Sequence, residues 1–192
     1  MSVSLVKGQK IDLTKGNSGL KKIKIGLGWD TNRYSGEDNF DLDVSAFFLG
    51  ADGKVPSDAD FIFYNQPTHA SESIVYSGDN TTGDGSGDDE TFVVELAKVP
   101  SNIQKVVFTA SIYDGVNRLQ NFGMVDNAYI RGLNEETNEE LFICDLTEDH
   151  SLSTGLIAGE LYRHNGEWKF NAVKASCSGG LDVIARSYGV NI

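Results

Sequence analysis

Gly78-Asp79-Asn80-Thr81-Thr82-Gly83-Asp84-Gly85-Ser86-Gly87-Asp88-Asp89-Glu90 places four Asp, one Glu, one Asn and four Gly in thirteen residues. Carboxylate and amide oxygens are hard donors, and glycines let the backbone curl until its carbonyls face the same centre. Ca²⁺ takes such oxygens in roughly six- to eightfold coordination, whereas Mg²⁺ holds a stricter octahedron and keeps more of its water. Without a cation the segment is unfavourable: two carboxylates ~5 Å apart at an effective dielectric of about 20 repel by roughly 3 kcal/mol. Two familiar loops fail to match. Asp79 to Glu90 has the length of an EF-hand loop, but Thr81 and Gly83 stand where that motif needs Asp or Asn, and no helical pattern flanks it. The Gly83 to Gly87 stretch lacks the Lys of a phosphate cradle, and its carboxylates repel phosphate.

More carboxylates precede the loop. In Asp41-Leu42-Asp43-Val44-Ser45-Ala46 strict alternation sets Asp41 and Asp43 on one side of a strand and Leu42, Val44, Ala46 and Phe48 on the other. Gly28-Trp29-Asp30 closes an earlier strand with a third carboxylate at a strand–loop junction that could meet the same loop. From Asp30 to Glu90 there are fourteen acids against Arg33 and Lys54, a local charge of -12 that equals the net charge of all 192 residues. Charge confined to one third of a chain calls for a counterion. It also makes a nucleic-acid backbone an unsuitable partner, because affinity there comes from Lys and Arg displacing phosphate counterions.

Such carboxylates need a rigid frame, and the remaining sequence is patterned for one. With 40% hydrophobic and 10% aromatic residues the chain can bury a core, and its length suits one domain over residues 1–192. Period-two runs recur at 22–27, 42–49, 61–64, 74–76, 92–96, 106–112, 129–133, 141–144, 160–162 and 168–173, separated by turn residues. Asn165-Gly166 is a hairpin cue because both residues tolerate positive φ. Many short strands joined by tight turns predict a mainly β chain, a two-sheet β-sandwich. One helix is expected after Gly180, with Leu181, Ile184, Ala185 and Tyr188 on one face and Gly189 as its stop, and a short helix or turn near 116–125. Cys144 and Cys177 form no CxxC pair and read as reduced thiols, Cys144 buried and Cys177 more exposed. The first residues lack the apolar core of a signal peptide and no run approaches the roughly 18 apolar residues of a membrane span, so an intracellular, cytoplasmic protein without a transmembrane segment is expected.

Gly26-Leu27-Gly28-Trp29-Asp30, Phe40-Asp41-Leu42-Asp43, the run from Asp58 to Asn65, the Gly78 to Glu90 loop with its pattern GDNxTGxGxGDDE, and the run from Gly159 to Phe170 together resemble the bacterial TerD/TerE tellurium-resistance proteins over essentially the full length. That resemblance implies a calcium-binding β-sandwich holding two ions, with a role in tolerance of tellurite and related chemical stress and no catalytic activity. Carried over by position, the implied ligands are Asp30, Asp41, Asp43, Asp79, Asn80, Asp88, Asp89 and Glu90, with Asp84 a weaker candidate and the carbonyls of Leu42 and Thr82 completing the shells. Ser86 is excluded. Implied partners are other tellurium-resistance proteins and a membrane-associated complex, which would place the chain peripherally at the inner membrane.

Three other uses of these residues can be weighed. A metal-dependent hydrolase would need the acidic cluster as its metal site and His69, His150 or His164 as acid or base, yet no hydrolase signature accompanies those histidines. Direct handling of tellurite meets an anion facing an acidic surface with only two thiols. Calcium could also bridge acidic loops at the end of a sandwich to anionic lipid, with Trp29 and Trp168 serving as packing residues and not membrane anchors.

Overall fold

The computed structural model describes residues 2–17, 19–30, 40–78, 82, 87–147 and 152–192. Its strands are β1 (Val3–Ser4), β2 (Lys10–Asp12), β3 (Lys22–Gly28), β4 (Leu42–Leu49), β5 (Phe61–Ile62), β6 (Ile74–Ser77), β7 (Glu90–Glu95), β8 (Lys105–Ile112), β9 (Tyr129–Asn134), β10 (Glu140–Asp145), β11 (Gly155–His164), β12 (Glu167–Asn171) and β13 (Ala175–Cys177), followed by the helix α1 (Leu181–Ser187). They form two sheets, as the alternation predicts. One runs β1-β10-β9-β3-β7-β6, the other β2-β12-β11-β8-β4-β5 with β13 added to β11.

Alternation sorts each strand into an inner and an outer face. Ile23, Ile25 and Leu27 of β3, Phe92 and Val94 of β7, Leu42, Val44, Ala46 and Phe48 of β4, and Phe108 of β8 meet in the central core. The outer face of the second sheet is apolar as well: Phe47 and Leu49 of β4 and Val107 of β8 pack under Ile184 and Ala185 of α1. A strand buried on both faces loses its polar alternation, and all eight residues of β4 are buried. Helix α1 thus forms a third layer, and its expected stop is present as Gly189 at φ 91°. Both tryptophans are buried, and the hairpin between β11 and β12 turns at Asn165 and Gly166 with φ 52° and 80°.

Departures from the expected bounds have local causes. The run 61–64 pairs only over Phe61–Ile62, because Phe63 and Gln66 exchange backbone hydrogen bonds in a tight turn. Strands β1, β2 and β13 fall outside every expected run, since each is two or three residues long and lies at an edge or off the main path of its sheet. The 116–125 segment holds a 3-10 turn at Phe122–Met124.

Candidate metal centre

Antiparallel pairing of β3 with β7 sets Leu27 opposite Glu90, so the end of β3 and the start of β7 lie side by side. Asp89 Oδ2 accepts the Trp29 amide at 2.9 Å, and the Asp89 amide donates to Leu27 O at 2.8 Å. Asp30 follows directly. Its amide donates to Asp126 O at 2.9 Å and its Oδ2 accepts from Asn127 Nδ2 at 2.8 Å. These bonds hold the Asp30 and Asp89 carboxylates at one strand–loop junction.

Glu90 turns inward and is 1% exposed. Its Oε2 accepts the Val44 amide of the opposite sheet at 2.9 Å. β5 pairs only with Ala46 and Phe47, so the Val44 donor lies beyond the end of that ladder. Asp43, one residue earlier, points to the other side of β4, as the alternation requires. It is 9% exposed and lines a cavity of about 540 Å3 with Tyr64, Ser111, Asp114, Thr154 and Asp182. None of the described residues lining that cavity is Lys, Arg or His. Asp182 is partnered by Arg186 at 3.1 Å and Asp114 by the Asn117 amide group at 2.6 Å. Asp41, half-buried before β4, accepts the Tyr113 amide at its carbonyl, 2.8 Å.

Asp88 is placed differently. Its side chain lies across the outer face of the first sheet, where Oδ1 accepts Arg131 Nε at 2.7 Å, while Arg131 Nη1 reaches Glu140 at 3.1 Å. Tyr129 Oη donates to Gly87 O at 2.7 Å. A Cβ on Gly26 would stand 2.2 Å from Asp88 Cγ, and one on Gly28 would stand 2.5 Å from the Tyr129 ring. The glycines of Gly26-Leu27-Gly28 are therefore the space in which Asp88 and Tyr129 lie. Burial alone would lower the Arg131 pKa, but the bonds to Asp88 and Glu140 and the Asp88 charge outweigh it and leave it raised. Burial, followed by the Asp88 charge, pushes the Tyr129 phenol up to about 12. Sequence reasoning missed Arg131 and Tyr129. The available signal was the glycine pair, whose outward positions in an otherwise bulky strand mark a surface that other side chains cross.

The structure thus brings Asp30 to Asp89 and Glu90 to the strand that carries Asp41 and Asp43, and gives Asp88 to Arg131. Asp79, Asn80 and Asp84 lie outside the described residues, while Thr82 is half-buried and Leu42 fully buried. Among the described residues no three His, Cys, Asp or Glu side chains are grouped closely enough to hold a metal ion alone. The donors that are described are all hard oxygens, and Asp43 lines a cavity with Asp114 and Asp182. Hard oxygens are the donor class that Ca²⁺ takes. His69, in contrast, is buried against Phe48, with Nε2 2.9 Å from Asp60 Oδ1 and Nδ1 2.7 Å from Ser71 Oγ. Both ring nitrogens are committed, one to Asp60 just before β5 and the other to Ser71 of the β5–β6 loop. His164 ends β11 beside the exposed turn, and His150 lies outside the described residues.

The TerD domain family model matches residues 1–188. The chain belongs to the TerD family. It is 57% identical over 192 residues to General stress protein 16U of Bacillus subtilis (strain 168), covering all of both chains. It is 48% identical to Tellurium resistance protein TerD of Serratia marcescens over 191 residues, 100% of this chain and 99% of the relative. A solved homologue of telluride resistance protein (TerD) from Streptomyces coelicolor superposes with a TM-score of 0.71 at 22% identity, covering 87% of this chain and 96% of that one, which shows the shared fold. This TerD-family chain therefore sits among tellurium-resistance and stress-response proteins. No helix of the described residues is long and apolar enough to cross a membrane.

Proposed function

We propose that this TerD-family chain is a non-enzymatic, cytoplasmic calcium-binding stress protein, in which Ca²⁺ orders the acidic loops into a surface for other tellurium-resistance proteins. The observation that carries the reading is the convergence of hard oxygen donors at one end of the sandwich, where Asp89 bonds the Trp29 amide beside Asp30 and Glu90 ties the acidic loop to the strand of Asp41 and Asp43. The division of donors between the Asp43 cavity and the Asp30–Asp89 junction suits two ions better than one. Asp79, Asn80 and the loop carbonyls would supply the remaining oxygens.

Acid–base chemistry is poorly served here, because His69 has both nitrogens engaged elsewhere. Calcium titration by calorimetry tests the proposal, on the wild type and on Asp43→Asn and Asp89→Asn. The expected result is two sites in the wild type, one weakened by each substitution. Calcium at about a hundred times its dissociation constant should also raise stability by roughly 2.7 kcal/mol per site. A thermal melt that neither calcium nor EDTA moves, together with a flat titration, would overturn the reading.

A further inference from the structure

We propose that the cleft at the end of the sandwich opposite the acidic loop binds a small monocarboxylate with an apolar body, its carboxylate held by Arg163 and Lys21. This site is independent of the calcium reading. The β3–β7 ladder separates the two ends: Leu27 meets Glu90 at the acidic one, and Lys22 meets Glu95 at the other. Here the segment before β3, the 3-10 turn Leu96–Lys98 and the β11–β12 hairpin border a cleft of about 460 Å3. Its walls are tied together, since the Leu96 amide donates to Lys21 O at 3.0 Å and the Trp168 amide to Thr14 Oγ1 at 2.9 Å. Small-ligand sites commonly measure about 300–1,000 Å3.

Arg163 is held in place before any ligand arrives. Its Nε donates to Ile103 O at 3.1 Å, its Nη2 to Val99 O at 2.7 Å, and its guanidinium lies 4.5 Å from the Trp168 ring centroid. These contacts fix the fork, while Nη1 has no acceptor among the described residues. The charge also lacks a carboxylate partner there: burial lowers the Arg163 pKa with no acidic neighbour to raise it, whereas Asp88 and Glu140 raise that of Arg131. A guanidinium already oriented, with N–H groups to spare, loses little freedom on receiving a carboxylate oxygen. Lys21, exposed on the wall before β3, supplies a second cation. Glu167, whose Oε2 takes the Thr14 hydroxyl, brings one negative charge, so two cations against one carboxylate leave the lining at +1. That balance suits a monoanion over a phosphate dianion. Leu20, Leu96, Ala97 and Trp168 line the same cleft and give an apolar body a surface on which to leave water. The run from Gly159 to Phe170, which contributes Arg163, Glu167 and Trp168, takes no part in the proposed calcium site.

A nuclear magnetic resonance titration of the full chain tests this, reading the Arg163 Nε–H and the Trp168 indole N–H, with octanoate, uncharged octanamide and inorganic phosphate as probes. Octanoate is expected to shift both signals saturably, with half-saturation below about 1 mM and at least about tenfold below that of either control. Lys21→Ala and Ala97→Asp alter exposed positions, so each should keep the wild-type melting temperature while weakening octanoate by about tenfold. Octanamide that binds as well as octanoate would reduce the site to an apolar cleft, and phosphate that binds as well would reduce it to a charge; either result overturns the proposal. So does octanoate that moves neither signal at about 10 mM, or binding that both variants leave undiminished.

Discussion

The Glu90 carboxylate, rooted in one sheet, accepts the backbone amide of Val44 in the other at 2.9 Å, inside the sandwich. This bond ties the end of the acidic loop to the strand of Asp41 and Asp43. Replacing Glu90 by Ala leaves the Val44 donor without that acceptor and opens a void, so a loss of about 3 kcal/mol is expected in urea denaturation. Gln keeps an acceptor oxygen of similar size, and Glu90→Gln is expected to cost only about 1 kcal/mol. Equal losses would mean that the charge, not the acceptor, matters.

A second expectation concerns Gly26. A methyl group there meets Asp88 Cγ at 2.2 Å, so Gly26→Ala must push Asp88 off Arg131 or bend β3. We expect Gly26→Ala to destabilise by about 2 kcal/mol, the usual scale of overpacking. In an Asp88→Ala background the same change should cost much less, because the two sites share one volume. Additive losses in the double variant would contradict the packing described.

The thiols should react in a fixed order. Burial pushes the Cys144 thiol up to about 12, and burial raises Cys177 as well, though it remains half-exposed. Because the thiolate is the reactive form, iodoacetamide at about pH 8 should alkylate Cys177 in the native protein and leave Cys144 untouched until denaturant is added. Peptide mass spectrometry reads this directly. Native labelling of Cys144 would show that β10 opens locally.

Alkaline pH should weaken the loop anchor. The Tyr129 phenol is raised from its ordinary value of 10 to about 12, so folding favours its neutral form. That contribution is complete below about pH 10 and is lost as pH rises toward 12. Tyr129→Phe should therefore flatten part of the stability decline across this window, and its phenolate absorbance titration should lack one late-ionising group. An unchanged late phase would place that group elsewhere.

What could be read from the residues depended on how local the physics was. The bounds of β4 and the sidedness of Asp41 and Asp43 follow from period-two alternation, and the Asn165-Gly166 turn and α1 follow from neighbours in sequence. Alternation does not say which layer covers a face, so the cavity beside α1 that receives Asp43 was not legible. Nor was the fate of Asp88, whose partner Arg131 is 43 residues away and is brought to it only by the pairing of β3 with β9. Strands β1, β2 and β13 carry too few residues for any period to register.

The N-terminal edge strands set an order of events for the growing polypeptide. β1 pairs in parallel with Phe142 and Ile143, and β2 pairs with Lys169, Phe170 and Asn171. Strands β1 and β2 therefore wait for partners made much later, at synthesis speeds of about 5–20 residues per second. Through that interval Leu5 and Leu13, both buried in the finished core, have nothing to cover them. A chain interrupted before β10 and β12 would leave β1 and β2 without their partners, with bare edges open to other strands.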